Sequence, residues 1–541
     1  MKIPPLLAVL ALLALPLNAE GIKFREVSKS WGIDFRHHNA ATGQWLMPES
    51  VVGGVVMFDF DGDGDEDLFF VDAGPLPGYT GEAPRSRLFR NDGNGHFTDW
   101  TEKSGIKLAF YGGGAAAADI DGDGDLDLFV TGFGGVQLFR NNGDGTFTDV
   151  TKQSGIVDPY WSSSAAFADV DNDGDLDLLV VNYVDFSLTN NPVCGDPKRK
   201  LRGYCHPDVY HGQPVQLFRN QGNGIFEDAS RATGLGGIAG PGLAVCFGDV
   251  DNDGWQDFYV ANDNKPNFLL HNKGNGTFED VSVLSGAAIG EPGRPEAGMG
   301  VDMGDYDGDG LLDIVVTNYE LETNALYHNL GGGTFVDSRS PAGIAEPSLL
   351  YLAFGVAFAD FDQDGDLDLV IANGNINPNA PDFLEGSTYA QRNQVFENLG
   401  NGKFREDKAT GMDGVRVHRG LAVGDLDGDG DLDVALNDLN EPCEVYENIS
   451  AGSAGGHWLQ VDFAGSMGNR FAIGARVELE AAGLKKQIRD VKAGSSYASQ
   501  NAIAVHFGLG KAATVNRLTV RRPGKVQVFE GLPADRKIVI E

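Results

Sequence analysis

Asp169-Val170-Asp171-Asn172-Asp173-Gly174-Asp175-Leu176-Asp177 is one of seven copies of a nonapeptide, Asp-x-Asp-x-Asp-Gly-x-x-Asp, and its reading decides the fold. Three carboxylates on alternate residues, a glycine free to turn with positive φ, and a fourth carboxylate form an oxygen cage suited to a hard cation. The candidate ligands are Asp59, Asp61, Asp63 and Asp67; Asp119, Asp121, Asp123 and Asp127; Asp169, Asp171, Asp173 and Asp177; Asp249, Asp251, Asp253 and Asp257; Asp305, Asp307, Asp309 and Asp313; Asp360, Asp362, Asp364 and Asp368; and Asp425, Asp427, Asp429 and Asp433. An EF-hand loop opens the same way but closes with a bidentate Glu at position 12 and lies between helices. Here position 12 is Phe70, Val130, Val180, Val260, Val316, Ile371 or Leu436, and each loop runs into an apolar β-type stretch such as Leu178-Leu179-Val180-Val181. The pattern therefore predicts a cation loop between two strands. Four carboxylates per loop repel one another unless a cation intervenes, and a set made of oxygens alone, with no Cys or His in the nonapeptides, selects calcium. About seven structural Ca²⁺ per chain are expected on that count of loops.

The seven loops account for much of the chain's acidity, and the charge is unevenly placed. Net charge is −37. From His457 to Glu541 there are 13 Lys+Arg against 7 Asp+Glu, a net of +6, so the remainder carries −43. Such an acidic body excludes nucleic acid and anionic lipid as its partner. Residues 1–19, with Lys2, an apolar run from Leu6 to Leu15 and Ala19, read as a secretory signal peptide. No later run reaches the roughly 20 apolar residues of a membrane span, and no cysteine follows the cut to take a lipid anchor. A secreted or periplasmic, monomeric protein is the expectation. Of four cysteines, Cys194 and Cys205 bracket a short polar loop and read as a local disulfide in an oxidising compartment.

Each loop is followed by a hairpin signature, clearest in Leu138-Phe139-Arg140-Asn141-Asn142-Gly143-Asp144-Gly145-Thr146-Phe147. Two apolar strands around the loop and two in the hairpin make a four-stranded unit, and such units at this spacing read as propeller blades. The seventh unit lacks its last strand. Lys23-Phe24-Arg25-Glu26-Val27-Ser28 at the other end of the chain matches Thr146-Phe147-Thr148-Asp149-Val150-Thr151 and supplies it. The predicted fold is thus all-β: a seven-bladed propeller over 20–452, its N-terminal strand closing blade seven, followed by a small all-β domain over 457–541. In the latter, Trp458–Phe463, Ala475–Leu479, Leu518–Val520 and Lys537–Ile540 alternate as half-buried strands, and Ser495, Ser496, Tyr497, Ser499 and Gln500 form a polar cluster that reads as a turn.

The loops with their hairpins resemble the FG-GAP/VCBS repeats of secreted propellers. The tail, from Asn469-Arg470-Phe471-Ala472-Ile473-Gly474 through Gly494–Gln500 to His506-Phe507-Gly508-Leu509-Gly510, is similar to the ASPIC/UnbV domain, departing at Arg522-Pro523 where that family has Trp-Pro. The pairing looks like the cartilage acidic protein family and its bacterial relatives. The resemblance implies calcium at the matching Asp positions and an extracellular setting; it implies no particular activity.

Two function classes remain. One is a calcium-stabilised binding or interaction module, supported by the absence of His-Glu-x-x-His, Gly-x-Ser-x-Gly and phosphate-loop motifs. The other is an exported enzyme or biosynthetic accessory protein acting on a small molecule or glycan. Topology puts the loops and hairpin turns at one end of every blade and the remaining connections at the other. Those connections carry His37, Glu49, His206, Tyr210, His211, Arg294, Glu296, His418 and Arg419 as candidate ligand-binding residues around the channel mouth, able to take a polar ligand or an additional transition metal.

Overall fold

The computed structural model describes residues 21–290, 293–450, 456–465 and 468–541. The proposed signal segment lies outside the described residues.

Seven four-stranded antiparallel sheets follow one another around a ring. In blade three the strands are Ser162–Ala168, Asp177–Asn182, Gln216–Asn220 and Phe226–Asp228, with the acidic loop between the first two and the hairpin between the last two. The innermost strands pack side by side in order from Val55–Phe58 to His418–Gly424, and the last packs against the first. Small residues suit this crowded axis: Ala115–Ala118, and Ala165, Ala166 and Ala168 around Phe167, are buried. The second strand of each blade is buried on both faces, which is why it reads as an unbroken apolar run.

The hairpin asparagine ties each blade to its neighbour. Side-chain amides of Asn141, Asn220, Asn272, Asn329, Asn398 and Asn448 donate to loop carbonyls of the preceding blade, those of Phe60, Ile120, Val170, Val250, Tyr306 and Phe361, at 2.7–2.9 Å. Asn91 of blade one does the same to Leu426 of blade seven at 2.7 Å, so the series closes. Phe24–Glu26 is the fourth strand of blade seven, registered antiparallel as Phe24↔Asn448, Arg25↔Glu447 and Glu26↔Tyr446.

The C-terminal unit is a three-stranded sheet, ordered Val505–Gly510, His457–Phe463, Arg536–Ile540, beside a four-stranded sheet, ordered Gln487–Asp490, Arg476–Ala481, Thr514–Arg522, Lys525–Pro533. It sits on the acidic-loop end of the propeller. Arg470, Arg476, Lys485 and Lys537 donate to the carbonyls of Gly122, Asp249, Asp307 and Gly64, at 3.3, 3.1, 2.8 and 2.8 Å. The uneven charge thus has a structural use: the basic domain covers the acidic face.

From this domain, residues 493–502 enter the central channel. Ser495 and Ser499 bridge to make a tight turn with Tyr497 at its tip. The turn supplies partners for the free inner edges of the blades: Phe167 N–H donates to the Ala493 carbonyl (2.9 Å), Met57 N–H to that of Gln500 (3.1 Å), and Val301 and Ser496 exchange a pair (3.0 and 2.8 Å). Gln500 Oε1 accepts from Ala117 N–H at 2.9 Å. Gly54 is required here, because a Cβ on it would lie 2.0 Å from the Ala498 carbonyl oxygen. The channel whose mouth the sequence suggested as a binding site is therefore filled by the chain itself. Cys194 and Cys205 form a disulfide, and Cys246 and Cys443 are buried thiols. Among the described residues no helix is long and apolar enough to cross a membrane.

Candidate functional site

The acidic loops share one geometry. The first Asp accepts backbone N–H groups of the turn it begins: Asp59 Oδ1 from Gly62 (2.8 Å) and Oδ2 from Gly64 (2.9 Å). The fourth Asp ties the loop to the blade: Asp67 Oδ2 accepts from Phe60 N–H (2.9 Å) and Oδ1 from Asn91 N–H (2.7 Å). Asp59, Asp61 and Asp67 bring ligand oxygens within 4.8 Å of one another, as do Asp119, Asp121 and Asp127. The third-position acids Asp121, Asp171, Asp307 and Asp362 each keep a buried Oδ1 with no hydrogen-bond partner. Burial, aided by the neighbouring acids, pushes Asp119 and Asp305 up to about 6 and Asp177 up to about 8. Stranded carboxylate oxygens in a set of hard donors are what a divalent cation would satisfy.

The loops are not equivalent. The residue preceding the hairpin asparagine acts electrostatically on the third-position Asp of its own blade, and it is Arg90, Arg140, Arg219, His271, His328, Glu397 and Glu447 in blades one to seven. Arg219 Nε lies 3.2 Å from Asp171 Oδ2, and His328 Nδ1 lies 3.2 Å from Asp307 Oδ2. Glu397 and Glu447 instead add to the repulsion at Asp362 and Asp427. Blades one to three thus set a cation near the site, blades four and five an imidazole, and blades six and seven a carboxylate that is itself paired, Glu397 with Arg405 and Glu447 with Arg25. The signal stood in the sequence as Arg-Asn, His-Asn and Glu-Asn at one repeat position.

At the opposite end of the blades, the structure does not bring the nine candidate residues to one place. His37 is fully buried, its ring nitrogens lack hydrogen-bond partners, and burial, opposed by Asp72, pushes it down to about 4. Arg419 is also fully buried. It donates to the carbonyls of Ser50, Gly374, His418 and Asn375 at 2.8–3.1 Å and lies over the Phe354 ring, pinning connections of blades six and seven to the segment before blade one. Glu296 pairs with buried Arg339, at 2.7 and 2.9 Å, and not with Arg294, whose side chain is exposed. Tyr210 packs against Phe186, and His211 is exposed. His418 lies in a buried cluster of blade seven.

His206 alone of the nine lines a cavity of about 270 Å³ at this end, and Glu49 supports its wall by accepting the Tyr204 hydroxyl at 3.1 Å. The other walls are Tyr183, Tyr319, Met47, Met299, Asp263, Asn264, Glu322 and Asn377. Tyr183 donates to Asp263 Oδ2 at 2.6 Å, and burial pushes the Asp263 carboxyl up to about 7. His206 Nε2 lies 2.6 Å from the Asn264 amide nitrogen. Tyr497, at the tip of the channel turn, donates to the carbonyl of Val51, another wall residue, at 3.0 Å. Aromatic faces beside a carboxyl, an imidazole and amides suit a small polar ring. Most of these residues carry no chemical motif, although Asn182-Tyr183, Asn262-Asp263 and Asn318-Tyr319 occupy one repeat position, five and six residues after the last Asp of the acidic loop, at or just past the end of the second strand.

The FG-GAP-like repeat pattern matches residues 59–130, 119–180, 205–260, 249–316, 305–371 and 379–436, and the ASPIC and UnbV pattern matches 465–541. Cartilage acidic protein 1 of Mus musculus is 31% identical over 277 residues, covering 50% of this chain and 40% of that protein. The Homo sapiens protein is 30% identical over 293 residues, covering 53% and 41%. The matched region spans about two fifths of the length of these curated relatives. Among solved structures, a lectin of Agrocybe aegerita described as recognising non-reducing terminal N-acetylglucosamine has a TM-score of 0.38 at 20% identity, covering 73% of this chain and 90% of that one. YCF48 bound to D1 peptide has a TM-score of 0.40 at 8% identity, covering 80% and 99%.

Proposed function

Because the chain belongs to the FG-GAP-like repeat family and ends in an ASPIC and UnbV domain, we propose that it acts as an exported calcium-binding interaction module, with calcium at one end of the blades and a ligand pocket at the other. The carrying observation for calcium is the stranded third-position oxygen of Asp121, Asp171, Asp307 and Asp362 in loops built of carboxylates. Export is supported by the Lys2 and Leu6–Leu15 pattern and by the Cys194–Cys205 disulfide. Calcium here is structural: it neutralises loops that join neighbouring strands. The ligand class is argued from the cavity among Tyr183, Tyr204 and Tyr319, whose faces would stack on a sugar-like ring while Asp263, His206 and Asn377 hydrogen-bond its hydroxyls. Metal analysis of chelated and calcium-reloaded protein tests the first half, with about seven Ca²⁺ expected, one per loop. Screening a glycan panel against wild type and Asp263→Asn tests the second, and a variant that binds as wild type removes the pocket from the proposal. A catalytic use of the same pocket has its support in the lining: Asp263, held by the Tyr183 hydroxyl and pushed up to about 7 by burial, lines the cavity together with His206, the two residue types that serve as general acid and base.

A further inference from the structure

Blade seven places a histidine and two carboxylates where three of its strands lie side by side. His418 opens the innermost strand and is registered against Asp438, the last residue of Asp433–Asp438; Glu444 opens the next strand, Glu444–Asn448. His418 Nδ1 lies 2.5 Å from Asp438 Oδ1 and 3.8 Å from Glu444 Oε2, and one ligand atom from each of the three residues falls within 4.8 Å of the others. These side chains are 0, 0 and 3% exposed. Asp438 Oδ2 and Glu444 Oε2 have no hydrogen-bond partner, and the His418 ring also meets the Gly414 backbone. Arg416 holds the outer oxygen of Glu444, with Nε 2.9 Å from Oε1, and its other guanidinium nitrogen stays 3.9 Å from Asp438 Oδ2.

We propose that His418, Asp438 and Glu444 form a site for one divalent transition-metal ion of the zinc or manganese class, separate from the calcium loops. An imidazole nitrogen with two carboxylate oxygens matches the donor preference of such ions, whereas calcium takes oxygen alone. Polar atoms buried without partners are rare, and Asp438 Oδ2 and Glu444 Oε2, set beside His418 Nδ1, are two that a single ion bound through that nitrogen would satisfy. The place also has a use for a clamp. The segment leading from the first strand of the chain crosses here, with Arg36 bridged to Pro442 and His37 N–H donating to the Glu441 carbonyl at 3.2 Å. The ion would fasten the seam between chain ends from the side opposite the Asp425–Asp433 loop. The competing arrangement is two ion pairs, an imidazolium on Asp438 and Arg416 on Glu444, with no metal.

The test uses the full chain, stripped with EDTA, dialysed into excess Ca²⁺ and titrated with Zn²⁺, with bound zinc read by calorimetry and by elemental analysis. One tight equivalent is expected. His418→Gln should weaken it at least tenfold, and Glu444→Gln carries the same test if that variant fails to fold. The double variant His271→Gln/His328→Gln, which removes the two loop histidines, should keep the equivalent. Absence of tight zinc in wild type overturns the proposal in favour of the two ion pairs. Zinc that survives both His418→Gln and Glu444→Gln, or that disappears in the loop-histidine variant, overturns it equally.

Discussion

Lys492→Met probes the tie that holds the channel turn in place. Lys492 directly precedes the turn, and its amine pairs with Asp302 on the innermost strand of blade five and donates to the Met303 carbonyl at 2.9 Å. Asp302 is 1% exposed and Lys492 18%. Burial works against the charge on Lys492, but Asp302 outweighs it and holds the amine above its ordinary range. Methionine keeps the stem and removes the charge, leaving a buried carboxylate with two backbone donors, Phe358 N–H on Oδ2 and Met303 N–H on Oδ1, both at 2.9 Å, and the weak Cys246 thiol on Oδ1 at 3.9 Å. Breaking a buried pair by removing one partner costs about 3–5 kcal/mol. The two remaining amide bonds and the partial exposure of the amine place this case near the lower end, about 3 kcal/mol. Asp302→Asn in the same background removes the stranded charge, so the double variant should recover about 2 kcal/mol relative to additivity. Denaturant unfolding of the four proteins in saturating calcium, with proteolysis following release of the C-terminal domain, measures both quantities. A single-variant cost below about 1 kcal/mol, or a coupling near zero, refutes the view that this pair secures the turn.

Chelation should lower the melting temperature by many degrees, and Asp171→Ala should lose one equivalent of calcium; an unchanged melting curve in excess EDTA would falsify the structural role of the ion. Arg219→Glu replaces a cation 3.2 Å from Asp171 with a fifth carboxylate and should raise calcium affinity in blade three, read by chelator competition; an unaltered isotherm counts against the inequality of the loops. Deleting residues 21–33 uncovers the edge of Glu444–Asn448 and should produce aggregates by light scattering; a stable monomer would show that the seam does not depend on this strand. His506, whose Nε2–H donates to the Gly430 carbonyl at 2.9 Å, is pushed down to about 4 by burial. Its unfolded form takes up a proton near 6.5, so stability is intact above that pH and declines as pH falls from about 6.5 to 4, by up to about 3 kcal/mol. His506→Gln should flatten part of that decline, and an identical pH profile argues against it.

The ring was legible because its signals are local and repeated. The loop at Asp169–Asp177 and the hairpin at Leu138–Phe147 each lie within one short stretch, and the strand missing after Glu444–Asn448 is found by its likeness to another copy of the repeat, so the sequence alone places them. The channel turn was not legible in the same way. Gly494–Gln500 is short, small and polar, which reads as a surface turn; nothing local says that Ser496 meets Val301 or that Gln500 meets Val55 and Ala117. The basic tail opposite an acidic body was the one long-range hint, and it pointed to docking without giving the depth. On the ligand face side-chain type does not report exposure: His37 and His418 are buried, and Glu296 has its partner in Arg339, 43 positions away. Tyr183 and Tyr204 of blade three, Asp263 of blade four and Tyr319 of blade five meet only because the ring curves.

The channel turn also orders events during synthesis. The inner edges of blades one, three and five find partners in residues 493–502, and the outer edge of blade seven finds its partner in Phe24–Glu26. A nascent chain that has all seven acidic loops outside the ribosome still carries bare inner edges, and it stays in that state until Ala502 has emerged. The first strand must wait for the seventh blade, and the axis must wait for the tail. Premature termination after blade seven but before residue 493 therefore yields more than a shortened protein: it yields a ring whose exposed backbone is a substrate for chaperones or for its own copies.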